Sequence, residues 1–270
     1  MIPSFRAHGT LHSVTYGESI SLGLTGGLAY LSWSSFTKSP ATPRTLNVFC
    51  LILLAALGLS QTRGAWLGFT ASLLVLVWLR RNLLPFVLKS GAILTLILAF
   101  LSRSTGLHLF NRFVSIFHPQ GDPNIGRLEL WKTAWNMFKD HPWLGVGLNN
   151  YRTLFSRYHP TPIYGEEVWG SAHNLYLHQL AERGILGLLA LLLLLGSMVY
   201  YSIKRYRKNP SPLNTWNLAA LVGFLIMNLT ETSFETTMSW MPIIFLYAWS
   251  EKTDATSAGW GQEAQGKKED

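Results

Sequence analysis

An all-α, polytopic transmembrane helix bundle is the fold class this sequence predicts, and three observations predict it. Charged residues make up 13% of the 270-residue chain and hydrophobic ones 49%, whereas a soluble globular domain is about a quarter charged. Apolar runs close to the ~20 residues that cross a bilayer recur along it. Basic residues collect in short segments between those runs, the pattern of cytoplasmic loops. The same clustering argues against reading the formal charge of +8 as a nucleic-acid surface. The lone cysteine, Cys50, lies inside an apolar run, which excludes an intrachain disulfide and argues against a cysteine-based metal site.

Taken in order, the candidate spans are about 18–36, 45–61, 64–80 and 83–102, then 185–203, 214–231 and 238–250, about seven in all. Lys38 and Arg44 separate the first two, Arg80 and Arg81 the third and fourth, and Lys204, Arg205, Arg207 and Lys208 the fifth and sixth. The positive-inside rule makes those loops cytoplasmic. The Ser60–Gly64 turn, the interval 103–184 and the turn carrying Glu231 and Glu235 then face outward. The expected organisation is N-terminal transmembrane helices over 1–102 (about four spans), a large external loop over 103–184, C-terminal transmembrane helices over 185–252 (about three spans), and a polar tail over 253–270, disordered and cytoplasmic. The opening MIPSFRAHGTLHSVTYG has no apolar core behind a basic start, so no cleavable signal is expected. The same orientation nevertheless puts the N-terminus outside.

The external interval holds His108, His118, His141, His159, His173 and His178. In GRLELWKTAWNMFKDHP, residues Leu128, Trp131, Trp135 and Phe138 recur at helical spacing, and Pro142 stops the pattern. LGVGLNNYRTLF reads as a glycine turn followed by a short amphipathic helix. In AHNLYLHQLAERG, Leu177, Leu180 and Ala181 line one side, with Ser171 as the expected cap and Gly184 as the end. Short helices bearing Trp and Phe suit a membrane surface, or they simply plug the outer mouth of the bundle.

Few residues in this frame carry chemistry. Arg63, in SQTRGAWLG, sits at the outer junction of two spans; it is either an interfacial anchor or a ligand for an anion, and an outward-facing arginine is uncommon under the positive-inside rule. Arg127, in NIGRLELW, is expected in a first helical turn, where a cation opposes the helix dipole; it either pairs with Glu129 or another acid, or meets an anion beside free backbone N–H groups. His173 is also expected in a first turn, where the dipole favours neutral imidazole, the form that accepts a proton; the alternative is a capping or core histidine. His178 is five residues on, about 140° around the helix, so a two-histidine metal site there is not expected. Asp140–His141 reads as a helix end, and Glu166 and Glu167 as loop acids. No Asp-x-Asp pair, P-loop or dinucleotide fingerprint is present.

In order and spacing, SQTRGAWLG, GRLELWKTAWNMFKDHPWLGVGLNNY and AHNLYLHQLAERGILG resemble the marks of the bacterial O-antigen ligase and polymerase family, and RAHGTLHS resembles the loop before one of its upstream helices. The resemblance covers about 6–250. It implies a membrane glycosyltransferase of GT-C-like architecture in the inner membrane, with its active site in a periplasmic loop. It implies an undecaprenyl-diphosphate-linked glycan as donor, a lipid, glycan or protein acceptor, no nucleic-acid partner, and neither metal nor other cofactor. By resemblance Arg63 and Arg127 hold the donor diphosphate, His173 activates the acceptor hydroxyl, and Asn174 and Glu182 support them. Family members have about a dozen spans, so the chain is expected to lack about five upstream helices. Polymerisation of glycan repeats, or membrane transport of the inorganic-carbon type, are the other activities the resemblance admits.

Overall fold

The computed structural model describes residues 12–33, 41–85, 87–89, 91–92, 96 and 122–266. Most of the expected fourth span, His108, His118 and nearly all of RAHGTLHS lie outside the described residues. Among the described residues the chain is helical and carries no strand beyond one isolated bridge, Ile163 with Glu166. The helices are α1 (Ser13–Trp33), α2 (Ala41–Ser60), α3 (Arg63–Leu79), α4 (Asp122–Asp140), α5 (Asn150–Tyr158), α6 (Leu175–Lys208), α7 (Pro212–Met227) and α8 (Thr237–Gly266), with 3-10 turns at Arg81–Leu83 and Ser233–Glu235. α8 runs on into the segment whose composition marks it as a disordered tail.

Among the described residues, one helix is long and apolar enough by length and composition to cross a membrane: α6. Arg63–Leu79 and Arg81–Lys89 pass the same test only as one broken span, and Arg44–Ser60 and Pro212–Met227 are apolar but short. The 16 residues of α7 reach about 24 Å at 1.5 Å per residue, against a hydrocarbon core of about 30 Å. α1 has the length, but glycine, serine and threonine dilute it. The expectation of seven spans therefore rests on the sequence pattern, and helix length bears out one of them.

Two separate cores organise the chain. The larger joins α1, α2, α3, α6, α7 and α8 through Leu24, Leu28, Leu76, Leu175, Leu195, Leu221, Phe224 and their neighbours. Small residues let these helices approach: a side chain at Gly68 would press on the Gly223 carbonyl, and one at Gly223 on Ser72 Oγ. That is the packing used where no water drives helices together. At one end of this bundle, Arg80 donates to the Ser32 carbonyl (3.0 Å) and lies over the Trp33 ring, whose Nε1 donates to Thr215 Oγ1 (3.1 Å). The ends of α1 and α3 thus meet the start of α7 beside the basic end of α6. The smaller core, Leu130, Ala134, Met137, Tyr151, Phe155, Ile163, Ala172 and Ala181, belongs to the polar interval. It caps the opposite end.

α4 buries a face of small and aliphatic residues. Leu130, Thr133, Ala134 and Met137 face inward, while Leu128 is 51% and Trp135 47% exposed. Small Thr133 and Ala134 bring α4 close to its neighbours; Trp131 packs partly buried against this core, and Trp135 is left outside. That outward aromatic surface is the kind that sits well in a membrane interface.

Candidate functional site

The site is assembled from three segments of the polar cap and one loop of the bundle. The first is the junction of α6. Asn174, in extended conformation (φ −158°), caps the helix by accepting from Leu177 N (3.0 Å). The cap is therefore Asn174 and not Ser171. His173 precedes the helix instead of lying in its first turn, and holds a left-handed backbone (φ 46°). The dipole argument for its neutrality thus gives way to its actual neighbours. Its Nδ1 is 3.3 Å from Glu231 Oε2, and its ring stands edge-on to Trp169.

α6 breaks at Gly184 (φ 63°, ψ −164°), as the sequence predicts for the end of its polar part. In an unbroken helix, Ile185 and Leu186 would donate to the carbonyls of Ala181 and Glu182. Here those carbonyls accept from Val146 N (2.8 Å) and Gly147 N (3.0 Å), and the two freed N–H groups donate to Pro142 O (2.8 Å) and Trp143 O (3.4 Å). All four backbone groups freed by the break are paired with the HPWLGVG turn. Main chain meets main chain so closely that a side chain at Gly184 would strike the Trp143 carbonyl, and one at Gly145 (φ 69°) the backbone of Glu182 and Arg183. These glycine motifs build a joint; they carry no reacting group.

Glu182 and His178 complete that joint. Asn149, ahead of α5, makes no side-chain cap bond; Glu182 Oε1 accepts from Tyr151 N instead (3.0 Å). A carboxylate there also suits the positive end of the α5 dipole. Burial pushes the Tyr151 hydroxyl far above its ordinary pKa, so it stays a donor, to the Leu130 carbonyl (3.0 Å). His178 is buried against the Tyr151 ring, with Nε2 2.8 Å from Glu235 Oε1 and 3.6 Å from Glu182 Oε2. Among the described residues, His178, Glu182 and Glu235 are the one group able to hold a metal ion. Nε2 is already within hydrogen-bonding distance of Glu235, and Nδ1 has no partner that would orient the ring for a metal.

The second segment is the start of α4. The helix begins at Asp122, so Arg127 stands in its second turn, not its first. Tyr164 lies across Gly126, accepting from its N–H (2.9 Å) in a space that a side chain there would fill. Arg127 Nη2 reaches Glu231 Oε1 at 2.9 Å. Glu129, the nearest acid in sequence, pairs elsewhere, with Lys132 (3.9 Å) and His159 (3.4 Å).

The third segment is the α2–α3 turn. Arg63 is the first residue of α3. The next residue, Gly64, lies against the same acid: a Cβ there would come 2.7 Å from Glu231 Cγ. Only glycine lets the α3 terminus close onto Glu231.

Glu231 is therefore the centre, and sequence reasoning noted it only as a charge in an outer turn. It is 4% exposed, its two oxygens divided between Arg127 and His173. Its main-chain carbonyl and that of Asn228 accept from Leu175 N (3.1 and 2.9 Å), so the loop is sewn to the α6 terminus. A carboxylate accepting from Nδ1–H leaves His173 Nε2 as the ring nitrogen able to take a proton. The available signal was an acid beside a break in an apolar helix, which is costly unless paired.

Apolar helices joined by small residues, capped at one end by a polar assembly whose buried glutamate holds an arginine and a histidine, define the class: a helical membrane protein with its polar site at one end of the bundle. A family model described as O-antigen ligase matches residues 48–192, and the chain belongs to that family, whose members are membrane proteins. It is 26% identical over 257 residues to an O-antigen ligase of Pseudomonas aeruginosa, covering 92% of this chain and 59% of that one. It is 29% identical over 203 residues to the teichuronic acid biosynthesis protein TuaE of Bacillus subtilis, covering 70% and 40%. An uncharacterized Haemophilus influenzae protein is 27% identical over 189 residues, covering 64% and 46%. The chain thus spans about half the length of the curated relatives it matches.

Proposed function

We propose that this chain carries the catalytic end of a membrane glycosyltransferase of cell-surface polysaccharide synthesis. It moves a glycan from an undecaprenyl-diphosphate donor to an acceptor hydroxyl on the periplasmic side of the inner membrane. The observation that carries the reading is Glu231 joining Arg127 to His173 beside the start of α3. In the multi-span arrangement read from the charge pattern, the basic loops face the cytoplasm and this end faces out.

In the reaction, His173 Nε2 takes the proton of the acceptor hydroxyl as its oxygen attacks the anomeric carbon. The bond from that carbon to the diphosphate oxygen breaks, and the electron pair leaves with the lipid diphosphate. Arg127 and Arg63 stabilise the charge that grows on the leaving group. Glu231 orients the imidazole and balances the imidazolium it becomes, much as a buried aspartate does for a serine-hydrolase histidine. Asn174 and Glu182 act through the backbone: one starts α6, the other joins it to α5.

The deciding experiment is glycan transfer in cells lacking any paralogue. His173→Ala leaves the protein inserted and removes the general-base contribution, about 10²–10⁴-fold; normal transfer by that variant sinks the assignment. Arg63→Lys, which keeps charge but loses the guanidinium fork, also fails, and full activity would make Arg63 an interfacial anchor. Retained catalysis but chain-lengthened products would make the enzyme a polymerase.

A further inference from the structure

The loop that presents Glu231, residues 228–236, is a turn followed by one short 3-10 segment. Such a segment does not hold a carboxylate in place by its own backbone. Two buried side chains from different helices grip it just beyond Glu231. On one side Ser233 Oγ donates to Glu18 Oε1. Glu18 lies on α1, 6% exposed, in a helix that is otherwise free of acids and bases. Its Oε2 has no partner within bonding distance, and Glu18 borders a cavity of about 20 Å³ shared with Ser21, Thr25, Ser72 and Ser239. On the other side Glu235 Oε1 stands 2.8 Å from Nε2 of His178, which is 2% exposed on α6.

We infer that Glu18 and His178 are positioning residues: two struts that hold the loop so that Glu231 faces Arg127 and His173. This rests on the role proposed for Glu231. A carboxyl group buried in an apolar helix is costly, and the hydrogen bond it makes ends on this loop. The two contacts fall at positions 233 and 235, so releasing either one frees the chain two or four residues from Glu231. A displacement near 1 Å at a catalytic group lowers rate by about 10²-fold, and the loss of one hydrogen bond to a charged group is about ten-fold or more. Neither strut touches reacting atoms. His178, which lies on α6 while His173 precedes it, acts through Glu235 instead.

The experiment compares Glu18→Ala and His178→Ala with Glu18→Gln and His178→Gln in the whole chain. It reads amide hydrogen exchange of 228–236 and, separately, glycan transfer. Each alanine variant speeds exchange of this segment about ten-fold and slows transfer about ten-fold, while exchange in α4 stays as it was. Each glutamine variant restores both, since its carbonyl accepts from Ser233 or its amide donates to Glu235. Unchanged exchange in the alanine variants overturns the inference. So does faster exchange with full transfer while Glu231→Gln remains inactive, because the loop's order would then be irrelevant to its acid. If Glu231→Gln itself transfers normally, the proposed function fails, and the exchange rates still decide whether the struts exist.

Discussion

The apolar bundle and the polar cap solve opposite problems. The bundle exposes large apolar side chains, Leu193 at 74% and Phe245 at 68%, and its helices satisfy their own backbones. What it needs from its neighbours is close approach, which Gly68, Gly223 and Ser72 allow. The cap has short helices and many chain reversals. Among the described residues every left-handed position except Gln61 falls within it or at its junction with α6: Gly145, Gly147, Asn149, Tyr164, Gly165, His173 and Gly184. Its stability therefore rests on particular backbone bonds. The difference teaches where substitution is tolerated and where chemistry can be held still, since strained backbone persists only when its surroundings over-determine it.

The sharpest way to break that contrast is at its meeting point. Glu231→Gln removes the charge shared by Arg127 and His173 and lowers transfer about 100-fold or more, with helical content by circular dichroism unchanged; a fall under ten-fold would reduce Glu231 to a loop anchor. Next in size are two glycines of the same helix. Gly184→Ala forces a side chain into the Trp143 carbonyl at positive φ, a strain of about 1–3 kcal/mol before any clash. Limited proteolysis should then cut within 141–184. Gly196→Ala, where nothing lies within 4 Å of the new atom, is neutral or stabilises by up to about 1 kcal/mol. Equal effects from both would erase the distinction between cap and bundle.

A smaller effect is expected at Glu182→Gln, which keeps an acceptor for Tyr151 N but loses the charge at the α5 terminus, a cost of about 0.3–1 kcal/mol. Faster hydrogen exchange confined to 150–158 checks it. The smallest is chelation. Dialysis against EDTA leaves thermal stability and transfer unchanged, since the imidazole of His178 is engaged with Glu235. A loss reversed by zinc would instead make His178, Glu182 and Glu235 a metal centre.

Much of this was legible in the sequence because it is local. The break at Gly184, the glycine turn before α5 and the end of α4 at Asp140 are written in neighbouring residues, where conformational preference acts. The three motif segments were singled out, and their arginines and histidine lie at or beside one acid. What was misread depends on distance along the chain. The helical spacing of Leu128, Trp131, Trp135 and Phe138 marks α4 as a helix but not which face it buries, and small Thr133 and Ala134 decide which side can approach a neighbour. The expected first turns at Arg127 and His173 were off by a cap, because Asn174 and the helical start at Asp122 took the N-terminal roles.

By itself, then, the sequence determined an apolar helical chain with a polar interval between its runs, the glycine positions where that interval reverses, and the arginines and histidine worth testing. Composition and short-range periodicity contain that much. Only the tertiary structure decided that Glu231 is their common partner, 104 residues from Arg127 and 58 from His173, and that Glu18, 215 residues from Ser233, braces its loop. Nothing in the local pattern around an acid says which cation will neutralise it. Burial makes a partner obligatory, and the packing of distant helices chooses which one.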